Sequence, residues 1–248
     1  MEADRLREIV NRVTDDLRAA IVDLRITEEE WYPALDFLVD VGRQGEIILL
    51  SDVLRLSVTV NGVSHPEGSH TASSVVGPFW RESPSVRNPA DLRSTDEAGE
   101  PLVVSGAVRS QDGERVIGAE VDLWQADDNG TYDVQLDRVP HLRGRQRTND
   151  EGRYEFVTVV PPPYEVPKDG PVGRLLNKLG RHAFRPAHVH LKVNASGYRS
   201  LTTMVFLAGD PWLSDDVIGA VKAPLVVAID RSESPARLQF DVVLTAEE

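Results

Sequence analysis

Arg185-Pro186-Ala187-His188-Val189-His190-Leu191-Lys192-Val193 carries two of the six histidines of this 248-residue chain. Strand side chains alternate between faces, so His188, His190 and Lys192 share one side and Val189, Leu191 and Val193 the other. The valine side reads as core and the histidine side as the wall of a site. Two neutral imidazoles on one strand offer adjacent positions to a first-row metal. Alone, such a pair is more often two hydrogen-bonded histidines than a metal site, so the rest of the chain has to decide.

Working outward, period-two runs appear at residues 102–108, 119–125, 153–160, 187–193, 201–207 and 238–244. Turn signals such as Asp112-Gly113, Asn129-Gly130 and Glu151-Gly152 lie between or just after them, with no long helical pattern intervening. This is the pattern of an antiparallel β-sandwich, mainly β. One connection is too long for a minimal sandwich: Pro161-Pro162-Pro163-Tyr164, then Asp169-Gly170-Pro171 and a short helix around residues 172–179. It delivers a tyrosine just ahead of the histidine pair.

The first hundred residues read differently. Leu6, Ile9, Val10, Val13, Leu17 and Ile21 recur at helical spacing. Thr27 followed by Glu30 has the form of a capping box opening a second helix that runs to about Val41. A third helical segment, residues 46–57, carries Ile47, Leu50, Val53 and Leu54 on one side and Leu49 with Asp52 on a neighbouring face. Beyond Asn61 the pattern dissolves, except for an apolar knot at Val75, Val76, Gly77, Pro78, Phe79 and Trp80. The expected organisation is an α-helical region with linker over residues 1–100 and a β-sandwich catalytic domain over 101–248.

The formal net charge of −13 argues against a nucleic-acid partner. No apolar run approaches a membrane span, the charged start lacks a signal-peptide core, and a cytoplasmic protein is expected. With no cysteine, any metal has to be held by nitrogen and oxygen.

Three elements converge on the histidine strand: the Gly130-Thr131-Tyr132 turn after Leu123-Trp124-Gln125, the proline-rich loop ending at Tyr164, and His188 with His190. Phenolate is a hard anionic donor suited to ferric iron. Val121-Asp122-Leu123-Trp124-Gln125-Ala126-Asp127 leading to Gly130-Thr131-Tyr132, Gly152-Arg153-Tyr154, Pro161-Pro162-Pro163-Tyr164, and Gly180-Arg181-His182 running into Arg185-Pro186-Ala187-His188-Val189-His190 together resemble the intradiol ring-cleavage dioxygenases over nearly the whole chain.

The resemblance implies Fe(III) with Tyr132 and His188 as equatorial ligands, Tyr164 and His190 as axial ones, and hydroxide as a fifth. It implies a small aromatic diol or triol and O2 as substrates. Tyr164 would leave the metal when substrate chelates and accept its proton, and Arg185 would stabilise negative charge developing on the ring. The helical region is similar to that of catechol and hydroxyquinol enzymes and implies a homodimer joined through those helices. Leu49, Asp52, Val76, Gly77, Pro78, Phe79, Met204 and Val217 fall where such enzymes line the ring pocket. An acid at Asp52, by default a solvated helix residue, would serve a third ring hydroxyl, which favours hydroxyquinol over catechol.

Met204 stands where the family usually has a glutamine beside the arginine. Methionine offers no amide carbonyl, so Arg185 is expected to be positioned differently, or the rate to be lower. His182 reads as structural, His141 as exposed, and His65 and His70 as surface histidines. The Asp127-Asp128-Asn129 turn lacks EF-hand spacing. Two rivals are a transthyretin-like sandwich that displays loops and does no chemistry, which would lack the two tyrosines and two histidines, and an Fe(II) or Zn(II) jelly roll, which would want a carboxylate or third histidine.

Overall fold

The computed structural model describes residues 2–66, 68–86, 90–94, 97–136 and 140–247. The chain forms two compact units, Met1–Glu46 and Ile47–Glu248. The first holds helices α1 (Ala3–Leu24) and α2 (Glu28–Arg43). The Thr27 box forms as its spacing predicts: Glu30 N–H donates to Thr27 Oγ1 at 3.3 Å and Thr27 N–H to Glu30 Oε2 at 3.0 Å. The apolar stripe of α1 stays open, with Val10, Val13 and Leu17 each about half exposed.

The second unit opens with helices α3 (Ile47–Val53) and α4 (Leu56–Ser64). The single helix expected over residues 46–57 is therefore broken, and helix continues past Asn61. The break falls at Arg55, whose φ of 62° is left-handed and cannot continue a right-handed helix. Leu49, Leu50, Asp52 and Val53 face inward, while Ile47 and Leu54 are exposed. Asp52 is thus core, at 3% exposure, and not a solvated helix residue.

Strands β1 (Ala90–Asp91), β2 (Pro101–Ser110), β3 (Glu120–Trp124), β4 (Arg143–Arg147), β5 (Arg153–Val159) and β6 (Tyr164–Glu165) follow, then helix α5 (Pro171–Lys178). Strands β7 (Phe184–Arg185), β8 (His188–Asn194), β9 (Leu201–Leu207), β10 (Val226–Val227), β11 (Ala236–Gln239) and β12 (Val242–Leu244) complete the chain. One sheet is ordered β1-β5-β2-β11, with β12 also on β2, and the other β10-β9-β8-β3-β4; β6 and β7 form a separate pair. The central ladders β2/β5, β3/β4, β3/β8 and β8/β9 are antiparallel. The short flanking strands β1, β10, β11 and β12 pair in parallel.

The run expected over residues 238–244 is interrupted between β11 and β12, although both keep one register on β2. There the Asp241 carboxylate accepts the Ala107 N–H at 2.9 Å, and the Tyr154 hydroxyl donates to Phe240 O at 2.6 Å. Side chains supplement the ladder at that point, where Phe240 N–H still donates to Ser105 O at 2.9 Å. Strand β4 escapes sequence reading because Arg143-Gly144-Arg145-Gln146-Arg147 contains no apolar residue to show its period. The core gathers Val121, Leu123, Val189, Leu191, Val193, Val205 and Phe206, all fully or nearly fully buried. Both faces of β8 are covered, since His188 and His190 are each 2% exposed. At its far end Lys192 leaves the core and sets its ammonium 4.6 Å above the Trp80 ring.

Candidate metal centre and ring pocket

Register brings the histidines to their neighbours. His190 lies opposite Trp124 on β3 and Met204 on β9, and His188 opposite Phe206. Trp124 stacks on His190 with centroids 4.6 Å apart and planes 12° from parallel. The ring is thereby held against a flat apolar wall. His188 Nδ1 lies 2.7 Å from Pro186 O; a carbonyl only accepts, so that nitrogen carries the proton and Nε2 keeps its lone pair.

The two tyrosines arrive from loops. Tyr132 is fully buried and stacks on Phe79 at 4.6 Å, and its ring meets Tyr164 edge-on at 5.5 Å. Gly130 makes this approach possible: it has φ +79°, and a Cβ there would lie 2.7 Å from Tyr164 Cβ. Tyr164 itself pairs with Arg185 across β6 and β7. Polar ends then converge: Tyr132 Oη is 3.4 Å and His190 Nε2 3.2 Å from His188 Nε2, while Arg185 Nη1 is 3.2 Å from the same nitrogen and 3.5 Å from Tyr164 Oη.

Electrostatics keep both imidazoles free of a second proton and so available as ligands. Burial, and then the positive charge of Arg185, hold His188 well below the usual imidazole range; burial, His188 and Arg185 do the same for His190. Both rings are neutral. The two Nε2 atoms lie 3.2 Å apart, close enough for one metal ion to take both lone pairs, and His190 Nδ1 is buried with no hydrogen-bond partner among the described residues. Burial, with Tyr164 alongside, pushes the Tyr132 phenol well above its ordinary value; a bound metal would reverse that by taking the phenolate. Two nitrogen and two oxygen donors, with no carboxylate among them, suit a hard trivalent ion of the iron type.

A buried ion pair absent from the sequence reading supports Tyr132. Asp133 accepts from Arg143 Nε at 2.8 Å and Nη2 at 2.7 Å, and from Arg81 Nη2 at 2.5 Å. Arg143 also donates to Phe79 O at 3.0 Å and Arg81 O at 3.2 Å. One guanidinium therefore ties the Phe79 loop to the residue after Tyr132. Burial opposes ionisation of Asp133, but the bonds from Arg143, His141 N–H and Arg81 outweigh it and hold the carboxyl below its usual range. Only an arginine in an apolar-free run hints at this role.

The pocket residues divide. Gly77 approaches His190, where a Cβ would stand 3.7 Å from its Cε1, and Phe79 caps Tyr132. Val76 and Pro78 stand exposed on the same loop. Leu49, Asp52 and Val217 are buried. Arg181 links two of these walls, donating to Val53 O at 2.8 Å and to Val217 O at 2.7 Å. Burial raises the Asp52 carboxyl above its ordinary value; Ser57 and Arg185 oppose the rise and Asp216 adds to it.

Arg185 is held without an amide carbonyl: Met204 Sδ accepts from Nη2 at 3.3 Å, and Asp216 Oδ1 accepts from Nε at 3.2 Å. One expectation needs correction. His141 is not exposed, since its Nε2 lies 3.0 Å from Glu97 Oε2 and its side chain is 18% accessible. His182 is structural as expected: Nδ1 accepts the Phe184 N–H at 3.0 Å, and the ring contacts Trp212. Asp127 Oδ1 is occupied by the N–H groups of Asn129 and Thr131, as in a turn.

Residues 75–246 match the family described as Dioxygenase, and residues 3–71 the one described as Catechol dioxygenase N terminus. The chain is 40% identical over 246 residues to hydroxyquinol 1,2-dioxygenase of Rhizobium sp. (strain MTP-10005), covering 95% of this chain and 83% of that protein. It is 37% identical over 238 residues to chlorocatechol 1,2-dioxygenase of Rhodococcus opacus, covering 93% and 92%. Among solved structures, hydroxyquinol 1,2-dioxygenase of Pseudomonas putida DLL-E4 superposes with a TM-score of 0.91 at 34% identity, over 100% of this chain and 94% of that one.

Proposed function

The chain belongs to the intradiol ring-cleavage dioxygenases, and on that footing we propose that it opens hydroxyquinol (benzene-1,2,4-triol) with both atoms of O2 to give maleylacetate. The observation that carries this reading is the convergence of Tyr132, Tyr164, His188 and His190 beside the buried Arg185. These four residues would hold Fe(III), which supplies Lewis acidity toward two ring oxygens and an electron-withdrawing centre.

The remaining work belongs to the chain. His188, with Nδ1–H on Pro186 O, keeps its Nε2 lone pair directed inward, and Trp124 braces the neutral His190 ring with its Nε2 at the same point. Tyr164 Oη takes up a substrate hydroxyl proton, with Arg185 Nη1 3.5 Å away. Arg185 remains charged: burial opposes its charge, but Asp216 and the two tyrosines outweigh it. A fixed cation in a dry site stabilises negative charge developing on the ring more than it would in water. Phe79 and Tyr132 wall off solvent.

Asp52 supports hydroxyquinol over catechol. Ser57 meets only part of the acceptor capacity of this buried carboxyl, so a substrate hydroxyl that meets the rest is favoured and its absence penalised. Chlorocatechol relatives at similar identity keep catechol-type rings as the second reading. Two copies would associate through α1 and α2, as the exposed stripe Val10, Val13 and Leu17 supports.

The visible spectrum of the iron-loaded protein tests this reading, taken before and after anaerobic addition of hydroxyquinol and, separately, catechol. Tyrosinate on Fe(III) gives a charge-transfer band, and hydroxyquinol should alter it more than catechol. Equal responses would remove the case for Asp52. A protein that stays colourless with iron would sink the assignment of the four ligands.

A further inference from the structure

The Arg185 guanidinium has two working edges. Nη1 faces Tyr164 Oη and His188 Nε2, at 3.5 and 3.2 Å. Nε and Nη2 are held from behind, by Asp216 Oδ1 at 3.2 Å and Met204 Sδ at 3.3 Å. These two holders differ in kind: a thioether is a weak neutral acceptor, whereas a carboxylate makes a charge-assisted bond.

Asp216 is itself fixed by backbone. It is 3% exposed, and Oδ2 accepts the Ala220 N–H at 2.9 Å while Oδ1 accepts the Ile218 N–H at 3.4 Å. The next residue, Val217, is pinned at both ends, by its N–H on Phe184 O at 3.1 Å and by Arg181 on its carbonyl at 2.7 Å. The carboxylate thus sits on a braced turn joined to the residue before Arg185, and its position does not depend on a mobile side chain.

We infer that Asp216 is the positioning residue of Arg185: it fixes the Nε edge so that Nη1 meets the reacting ring, and it makes a strong acceptor at position 204 unnecessary. This inference rests on the pocket reading above. Met204 then serves mainly as packing beside His190, which faces it across β8 and β9.

Three variants of the iron-loaded enzyme test it, each checked for a cooperative melt. Asp216→Asn, which keeps the side-chain volume, should lower kcat with hydroxyquinol about tenfold or more, because a misaimed catalytic group is costly. The anaerobic Kd, read from the visible band, should move less than about threefold, since the metal contacts to substrate survive. Adding Met204→Gln to Asp216→Asn should recover at least about threefold of that loss by supplying an amide acceptor to Nη2. Met204→Leu, which removes only the thioether, should leave the Arg185 Nε–H of the gallium-loaded protein exchanging as slowly as in wild type.

The inference is overturned if Asp216→Asn retains kcat within about twofold, or if Met204→Leu alone speeds exchange of the Arg185 Nε–H about tenfold. The second result decides the matter even if Asp216→Asn does not fold. If the wild type opens no ring, the functional reading fails separately. The anchor is then judged by exchange of the Arg185 Nε–H proton in gallium-loaded protein, assigned by its loss in Arg185→Lys. Exchange that is slow in wild type and Met204→Leu and at least about tenfold faster in Asp216→Asn is expected; equal exchange in all three overturns the inference.

Discussion

Arg143 grips Asp133 through two nitrogens, Nε to Oδ2 at 2.8 Å and Nη2 to Oδ1 at 2.7 Å, with both side chains at 1% exposure. Removing one partner strands the other charge out of water. Arg143→Met should therefore cost about 3–5 kcal/mol, or about 6–20 °C in melting temperature for a chain of this size. Asp133→Asn combined with Arg143→Met should regain part of it. A thermal melt within about 2 °C of wild type for Arg143→Met would show that the pair is not what braces Tyr132.

Asp133 and Asp52 should respond to pH with opposite signs. Asp133 is held below its usual range, so its contribution is present above the unfolded value and lost only as pH falls through the lower folded one. Asp52 is raised, so the stability tied to its neutral form is full below the unfolded value and lost as pH rises through the folded one. Asp52→Asn cannot ionise and avoids that loss. Its stability advantage over wild type should grow from about pH 4, near the ordinary carboxyl value, toward neutrality. Denaturant midpoints of metal-free protein across this range check it, and an advantage that shrinks with pH would contradict the assignment.

Substrate preference should move with the same residue. Asp52→Leu removes the acceptor for a third hydroxyl, and the ratio of kcat/KM for hydroxyquinol over catechol should fall by about tenfold or more. A ratio unchanged within error would assign selectivity elsewhere.

Iron retention should depend on each of the four converging side chains. His188→Ala and Tyr132→Phe should each weaken iron binding by more than the about 10–100-fold typical of losing an outer partner. Tyr132→Phe and Tyr164→Phe should each shift or weaken the visible band. Full iron content and an unaltered band in any one of them would remove that residue from the set.

Gly130→Ala tests the approach of the two tyrosine loops. The new Cβ would lie 2.7 Å from Tyr164 Cβ on a backbone with φ +79°. Strain of about 1–3 kcal/mol is expected, together with loss of colour as Tyr132 and Tyr164 are pushed apart. A stable variant with the wild-type spectrum would show that the loops can separate without disturbing the centre.

Much of this was legible from the chain alone, because the signals are local and repeat. The alternation at Val189, Leu191 and Val193 is enough to make β8 a core strand with both histidines on one side. Thr27 and Glu30 mark the start of α2 within three residues of each other. The order of two phenols and two imidazoles resembles that of a known family, and the resemblance implied that they meet at one metal. Tertiary structure alone decided the rest. A carboxylate on a helix looks the same whether solvated or buried, so the enclosure of Asp52 depends on what packs over α3. Asp216 lies 31 residues from Arg185 and Asp133 ten from Arg143. No periodicity links such pairs: an ion pair is a relation between points in space, and it exists only once the strands and turns have set both ends within hydrogen-bond reach.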